Sequence, residues 1–232
     1  PAVCYAVIPD KGYFTGEGGY PVLDHERLIK ALSGRISGME HIDLLSALTL
    51  SDYYATDTHW RQERLASVAE LLCRGMGAEL PPCEYRAETL APFYGVYAGQ
   101  YALPAAADTL TYLQSEYTDA AALTTVETGR AEAVYDADAF FGADGYELFC
   151  GGSSALVTVR SPLCQSGREL VIFRDSFASS LTPLLLPAYS KITLVDLRYM
   201  SADLVGDHVD FSNCDVLFLY SASLLNNGYL LK

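Results

Sequence analysis

The chain has 232 residues, half of them apolar, and carries 15 Lys and Arg against 29 Asp and Glu for a net charge of −14. That length and apolar content suit a single α/β domain over residues 1–232 with a sizeable core. The charge argues against nucleic acid or an anionic membrane face as a partner, and a neutral or cationic substrate fits better. No stretch approaches the roughly twenty apolar residues of a membrane span, and no basic-then-apolar leader opens the chain. Pro1 runs directly into a strand-like segment, so an N-terminal signal or anchor removed upstream is the expectation. The six cysteines fall largely in apolar segments, Cys4 and Cys214 in strands and Cys73 in a helix, and read as buried free thiols. No Cys or His cluster has metal-ligand spacing, so neither a metal nor an organic cofactor is expected.

In chain order, residues 2–9 form the first predicted strand. A glycine-rich turn follows at Gly16-Glu17-Gly18-Gly19, then a helix from about Asp24 to Arg35. His41 to Leu45 is a short strand candidate. Arg61 to Met76 sets Leu65, Val68, Leu71 and Leu72 on one helical face, with Thr58 or Asp57 as its cap. From about 81 to 162 the pattern turns irregular, with alternating runs such as Tyr94-Gly95-Val96-Tyr97 and Ala155 to Val159; it reads as strands of hairpins and loops with a helix near 107–116, forming an insertion. Regularity returns with a strand at Glu169 to Phe173, a helix from Phe177 to Tyr189, and strands at Lys191 to Leu197 and Asp215 to Tyr220. Continuous apolar strands of this length imply a mainly parallel sheet covered on both faces.

Two segments carry chemistry. Thr56-Asp57-Thr58-His59-Trp60 places a carboxylate two residues before a histidine, and Phe173-Arg174-Asp175-Ser176-Phe177 displays a hydroxyl where a buried strand becomes a helix. Asp57 can orient the His59 imidazole, His59 can take the Ser176 proton, and the helix start favours developing negative charge. Both segments also have the composition of helix caps, which is the competing reading of each taken alone. Arg198 follows a predicted strand and is a candidate for the same rim, or for pairing with a surface carboxylate. Tyr53, Tyr54, Tyr94 and Tyr97 could form a stacking platform for a sugar, although with 17 tyrosines in the chain core and interface roles are the default.

Asp57-Thr58-His59-Trp60 with the preceding Tyr53-Tyr54, and Arg174-Asp175-Ser176-Phe177 with Leu184-Leu185-Leu186-Pro187 and Val195 to Tyr199, resemble the bacterial DHHW family. That family is related to the SGNH-hydrolase-like O-acetyltransferases that acetylate alginate. The resemblance covers most of the chain and implies a three-layer α/β/α, flavodoxin-like SGNH fold with Asp57, His59 and Ser176 as catalytic residues. It also implies an oxyanion site at Gly151, Gly152 and Ser153, with carbohydrate as substrate, a cell-envelope location, and a membrane acyl-transfer partner. Three positions depart from the pattern: Arg174 replaces Gly, the first motif reads D-T-H-W, and Ser153 stands where Asn is usual, exchanging an amide for a shorter donor. The resulting expectation is serine-dependent O-acetyl transfer to a carbohydrate. An O-acetylesterase with the same triad, and a non-catalytic glycan-binding or assembly protein of the same fold, are the alternatives.

Overall fold

The computed structural model describes residues 1–16, 19, 21–102 and 104–232, so Glu17 and Gly18 of the predicted glycine-rich turn lie outside the described residues. The elements in chain order are β1 (Val3–Ile8), α1 (His25–Ser33), β2 (Glu40–His41), α2 (Ala66–Gly75), β3 (Arg86–Phe93) and α3 (Val96–Tyr101). They continue with β4 (Asp108–Gln114), α4 (Glu116–Ala120), β5 (Ala122–Thr125), β6 (Ala131–Glu132), β7 (Leu156–Arg160) and β8 (Glu169–Arg174). The last are α5 (Phe177–Leu185), β9 (Lys191–Val195), α6 (Ala202–Val205), β10 (Cys214–Ser221) and α7 (Ala222–Asn226).

One sheet runs β2-β1-β10-β8-β9-β7-β5-β6. The pairs from β2 through β9 are parallel, and those joining β9, β7, β5 and β6 are antiparallel. The parallel strands are apolar on both sides because both sides are covered. Alternation sends Cys4, Ala6, Ile8, Leu170, Ile172, Leu217 and Leu219 toward α2 and α5. The opposite face, with Val171, Val195 and Val216, packs on Met200, Val205 and Val209 around α6. This is the three-layer α/β/α arrangement implied by the sequence. Every residue of α5 is buried, and its sequence Phe-Ala-Ser-Ser-Leu-Thr-Pro-Leu-Leu is apolar or small all round, as a helix enclosed by neighbours requires.

Five expectations need correction. The segment predicted helical near 107–116 is β4, paired antiparallel with β3; Thr109, Thr111 and Tyr112 favour the pleated state, and the partner strand satisfies their backbone. The Tyr94 to Tyr97 run is not a strand: Tyr94 and Gly95 leave β3 and Val96 opens α3. The helix predicted from Arg61 starts only at Ala66, after a 3-10 turn over Gln62–Arg64, and neither Asp57 nor Thr58 caps it. Finally, residues 81–162 are not an irregular insertion throughout, since β5, β6 and β7 extend the main sheet by antiparallel pairing. The short strand expected over His41 to Leu45 is confined to Glu40–His41, beside Cys4 and Tyr5.

The parallel strands end together: Ile8 pairs with Ser221, Leu219 with Arg174, and Phe173 with Val195. The loops that follow β1, β8 and β9 therefore share one edge, where open α/β sheets place their ligands. All six cysteines are free and five are buried, as the sequence implies. Among the described residues, no helix is long and apolar enough to cross a membrane.

Candidate active site

Ser176 stands between the end of β8 and the first residue of α5, and its side chain makes no capping bond. Instead Ser176 Oγ lies 2.7 Å from His59 Nε2, across 117 residues of chain. His59 Nδ1 is 2.5 Å from Asp57 Oδ1, which also accepts the His59 backbone N–H at 2.8 Å. Asp57 Oδ2 accepts the Val96 N–H at 2.9 Å. Asp57 is fully buried, and burial alone would raise its pKa; bonds from the His59 ring, the His59 N–H and the Val96 N–H outweigh this and hold the carboxyl below the usual range. The carboxylate thus stays ionised against Nδ1–H, leaving Nε2 to accept a proton from the serine.

The loop that carries Asp57 and His59 is itself held by side chains. Asp108, at the start of β4, accepts the Ala55 N–H, the Thr56 N–H and the Thr56 hydroxyl, and pairs with Arg61 at 3.0 Å. Thr56 Oγ1 accepts the Gly95 N–H at 3.1 Å. Gly95 is required by close approach: a Cβ there would sit 2.1 Å from the Asp57 Cβ. The two motif segments are then tied to each other. Trp60, fully buried, donates its indole N–H at 3.0 Å to both Phe177 O and Ser180 Oγ, and Gln62 Nε2 donates to Ser180 O at 2.6 Å.

Sequence reasoning missed Tyr146. Its ring stacks on the His59 imidazole at 3.8 Å and 8°, and its hydroxyl donates to Ser180 Oγ at 2.7 Å. Phe177 closes the other side at 4.8 Å. The imidazole plane is fixed, and the face of Tyr146 attracts the imidazolium formed during proton transfer. Burial pushes the Tyr146 phenol well up, so it stays neutral. Nothing in the segment Asp144-Gly145-Tyr146 marks it; only the fold brings it under His59.

The remaining predicted residues divide. Cys150, Gly151 and Gly152 all have left-handed backbone, with φ of 44°, 72° and 56°, and make a tight turn at the sheet edge ahead of β7. The Gly152 N–H donates to Phe149 O at 3.1 Å and is therefore not a free oxyanion donor. Ser153 Oγ donates to Glu147 Oε1 at 3.2 Å rather than reaching toward the nucleophile. Gly151, Gly152 and Ser153 line a cavity of about 650 Å³ together with Tyr135, Asp136 and Glu147, the last adjoining Tyr146. Arg198 binds Asp196 through two bonds, Nε at 2.9 Å and Nη2 at 2.6 Å, so it pairs with a carboxylate, but with a buried one rather than the surface carboxylate expected. Tyr53 and Tyr54 are buried and cannot stack a sugar, whereas Tyr94 is exposed and Tyr97 half-buried.

Arg174 has a structural task. Fully buried, it approaches Asp196 at 3.7 Å and donates to Ser179 Oγ at 3.2 Å and to Gly152 O and Ser154 O at 3.3 Å each. Burial lowers its pKa while Asp196 supports its charge. It joins the strand before Ser176 to the turn at 151–154.

Fold and site together define a three-layer α/β/α protein in which Ser176, His59 and Asp57 form one chain of hydrogen bonds at the sheet edge. Among solved structures, a DHHW family protein from Eubacterium siraeum DSM 15702 superposes with a TM-score of 0.75 at 22% identity, over 97% of this chain and 78% of that one. PatB1 of Bacillus cereus superposes with a TM-score of 0.70 at 20% identity, over 97% and 83%, and its structure with a sulfonyl adduct with 0.70 at 19%, over 97% and 82%. No family model and no curated protein matches the sequence. The likeness establishes a shared fold with the DHHW family protein, as the two sequence motifs imply.

Proposed function

We propose that the protein is a serine-dependent O-acetyltransferase that acts on a carbohydrate outside the cytoplasm through an acyl-enzyme. The observation that carries this reading is the unbroken relay from Asp57 through His59 to Ser176, with contacts of 2.5 and 2.7 Å. Ser176 Oγ attacks the acetyl carbonyl while His59 Nε2 takes its proton. The proton passes to the leaving group as the tetrahedral adduct collapses, and the acetyl group stays on Ser176. His59 then deprotonates the acceptor hydroxyl, which attacks the acetyl-serine and regenerates the enzyme. Asp57 orients the ring and stabilises the imidazolium. With Gly152 occupied by Phe149 O, the oxyanion falls to the Ser176 N–H at the start of α5 and the Gly151 N–H of the neighbouring turn.

The carbohydrate acceptor, the envelope location and a membrane partner that delivers the acetyl group rest on the resemblance to the DHHW and alginate-acetylating families. The structure of PatB1 with a sulfonyl adduct suggests a probe, because sulfonyl fluorides modify activated serines. In the test, purified protein is treated with p-nitrophenyl acetate, and acetylation of the peptide containing Ser176 is followed by mass spectrometry alongside p-nitrophenol release. Wild type should become acetylated on Ser176 and lose activity on sulfonylation, whereas Ser176→Ala should show neither, with turnover reduced at least about 10⁴-fold. Equal turnover by wild type and Ser176→Ala would favour the non-catalytic reading. With an acyl donor and glycan both present, acetylated sugar identifies the transferase, and free acetate alone the esterase.

A further inference from the structure

Beside the catalytic loop, α3 has an inner and an outer side. Its inner end is bonded to that loop through Val96 N–H to Asp57 Oδ2 and Tyr97 N–H to Thr56 O, at 2.9 and 3.0 Å. The tyrosines at Tyr97 and Tyr101, one helical turn apart, face each other with centroids 6.1 Å apart and planes at 45°. Tyr101 is 63% exposed. Lys11, in the loop after β1, reaches over the Tyr97 ring with Nζ 4.7 Å from the centroid and donates to Ala55 O at 3.4 Å. β1 and β8 are parallel to the strand between them, so Lys11 and Ser176 follow strand ends at the same sheet edge.

These are the parts of a sugar subsite. A pyranose with equatorial hydroxyls has an apolar C–H face and a polar rim, and an exposed tyrosine offers the matching apolar face with a polar tip. An ammonium has three N–H donors; Ala55 O takes one and the Tyr97 face a second, leaving a third for a sugar hydroxyl. Partial burial of Lys11 also lowers its pKa, which marks a cation held away from bulk water.

We propose that Tyr101 and Lys11, backed by Tyr97, form a subsite for the acceptor glycan, in which a neutral, gluco-configured pyranose stacks on the exposed Tyr101 ring and hydrogen-bonds to Lys11 Nζ. The inference rests on the reading of the protein as a carbohydrate O-acetyltransferase. It places the occupied sugar beside the wall of Asp57, so that a neighbouring sugar along the same chain is presented to Ser176.

The test is titration of the Ser176→Ala protein, which cannot turn over, with cellotetraose, chitotetraose and laminaritetraose by NMR and calorimetry. At least one should bind and perturb the Tyr97 and Tyr101 resonances. Tyr101→Ala should weaken that binding about five- to tenfold, the loss of one stacking ring, while Tyr101→Trp restores it. Lys11→Met should weaken it severalfold, and unfolding midpoints show whether each variant is folded. Unchanged affinity in folded Tyr101→Ala and Lys11→Met, or no binding by any of the three glycans, overturns the subsite. Neither result touches acetylation of Ser176, which is read separately with the ester. Conversely, glycan binding that depends on Tyr101 without acetylation of Ser176 retains the subsite and discards the transferase.

Discussion

The two sides of the candidate site are built in opposite ways. On the side of Asp57 and His59, polar groups point into the site: Asp57 takes bonds from His59 and Val96, and His59 turns its free nitrogen to Ser176. On the side of the turn at 150–154, polar groups point back into the turn and its neighbours, Gly152 N–H to Phe149 O, Ser154 Oγ to Gly151 O, and Ser153 Oγ to Glu147. The groups assigned to the proposed proton transfer thus contact one another directly. The opposite wall is held in place from behind, largely by Arg174. Substitutions on the first side should act on the chemical step, and those on the second on stability and positioning.

The largest of these contrasts is expected at Asp57. Asp57→Asn removes the acceptor that fixes the His59 tautomer and should lower kcat for ester hydrolysis about 10³- to 10⁴-fold with little change in KM, read in steady-state kinetics. The same carboxylate has a signature in stability. Its folded pKa lies below the unfolded value of about 3.9, so its contribution is fully present above that pH and lost as pH falls through the folded value. Wild type and Asp57→Asn should therefore differ in unfolding free energy at neutral pH and converge in strong acid. An acid limb of the stability curve that is unchanged in Asp57→Asn would break the assignment.

The intermediate effect belongs to Arg174. Arg174→Met leaves Asp196 its partner Arg198 but strips the carbonyls of Gly152 and Ser154 and the Ser179 hydroxyl of a buried donor. Denaturant unfolding should show a loss of about 3 kcal/mol, and kcat should fall roughly ten- to a hundredfold as the turn loosens, within the span of one lost oxyanion donor. A loss of stability without any loss of kcat would mean that the 151–154 turn does not serve the oxyanion. The smallest effect is expected at Ser153. Because its hydroxyl is bonded to the exposed Glu147, Ser153→Ala should change kcat less than about threefold, the scale of a single weak hydrogen bond. A hundredfold loss would restore it as an oxyanion donor.

The sequence made the first side legible and the second only partly so, for a physical reason. Asp57 and His59 are two residues apart, and Ser176 sits where a run of buried apolar residues gives way to a helix, so local pattern suffices. The parallel strands β1, β8, β9 and β10 were readable as continuous apolar runs for the same reason. Tyr146, Arg174 and Asp108 act through contacts that close only when distant segments pair. Nothing near Asp108 in the chain indicates that it holds residues 55 and 56, and its strand was itself read as a helix. Tyr53 and Tyr54 failed as a platform because abundance does not report burial. Gly95 shows the same limit: its need for glycine comes from the Asp57 side chain packed against it, 38 positions away in sequence.

Trp60 is the sole tryptophan of the chain, and it is fully buried against the start of α5 with its indole N–H shared between Phe177 O and Ser180 Oγ. The protein therefore carries a fluorophore at the seam where the segments of His59 and Ser176 meet, without a background from other indoles. Emission from this ring reports whether the histidine loop is seated on the serine helix. A red shift on dilution, acidification or ligand addition would signal water entering that seam. The docking of base and nucleophile can thus be followed in solution with no label, in the same sample in which turnover is measured.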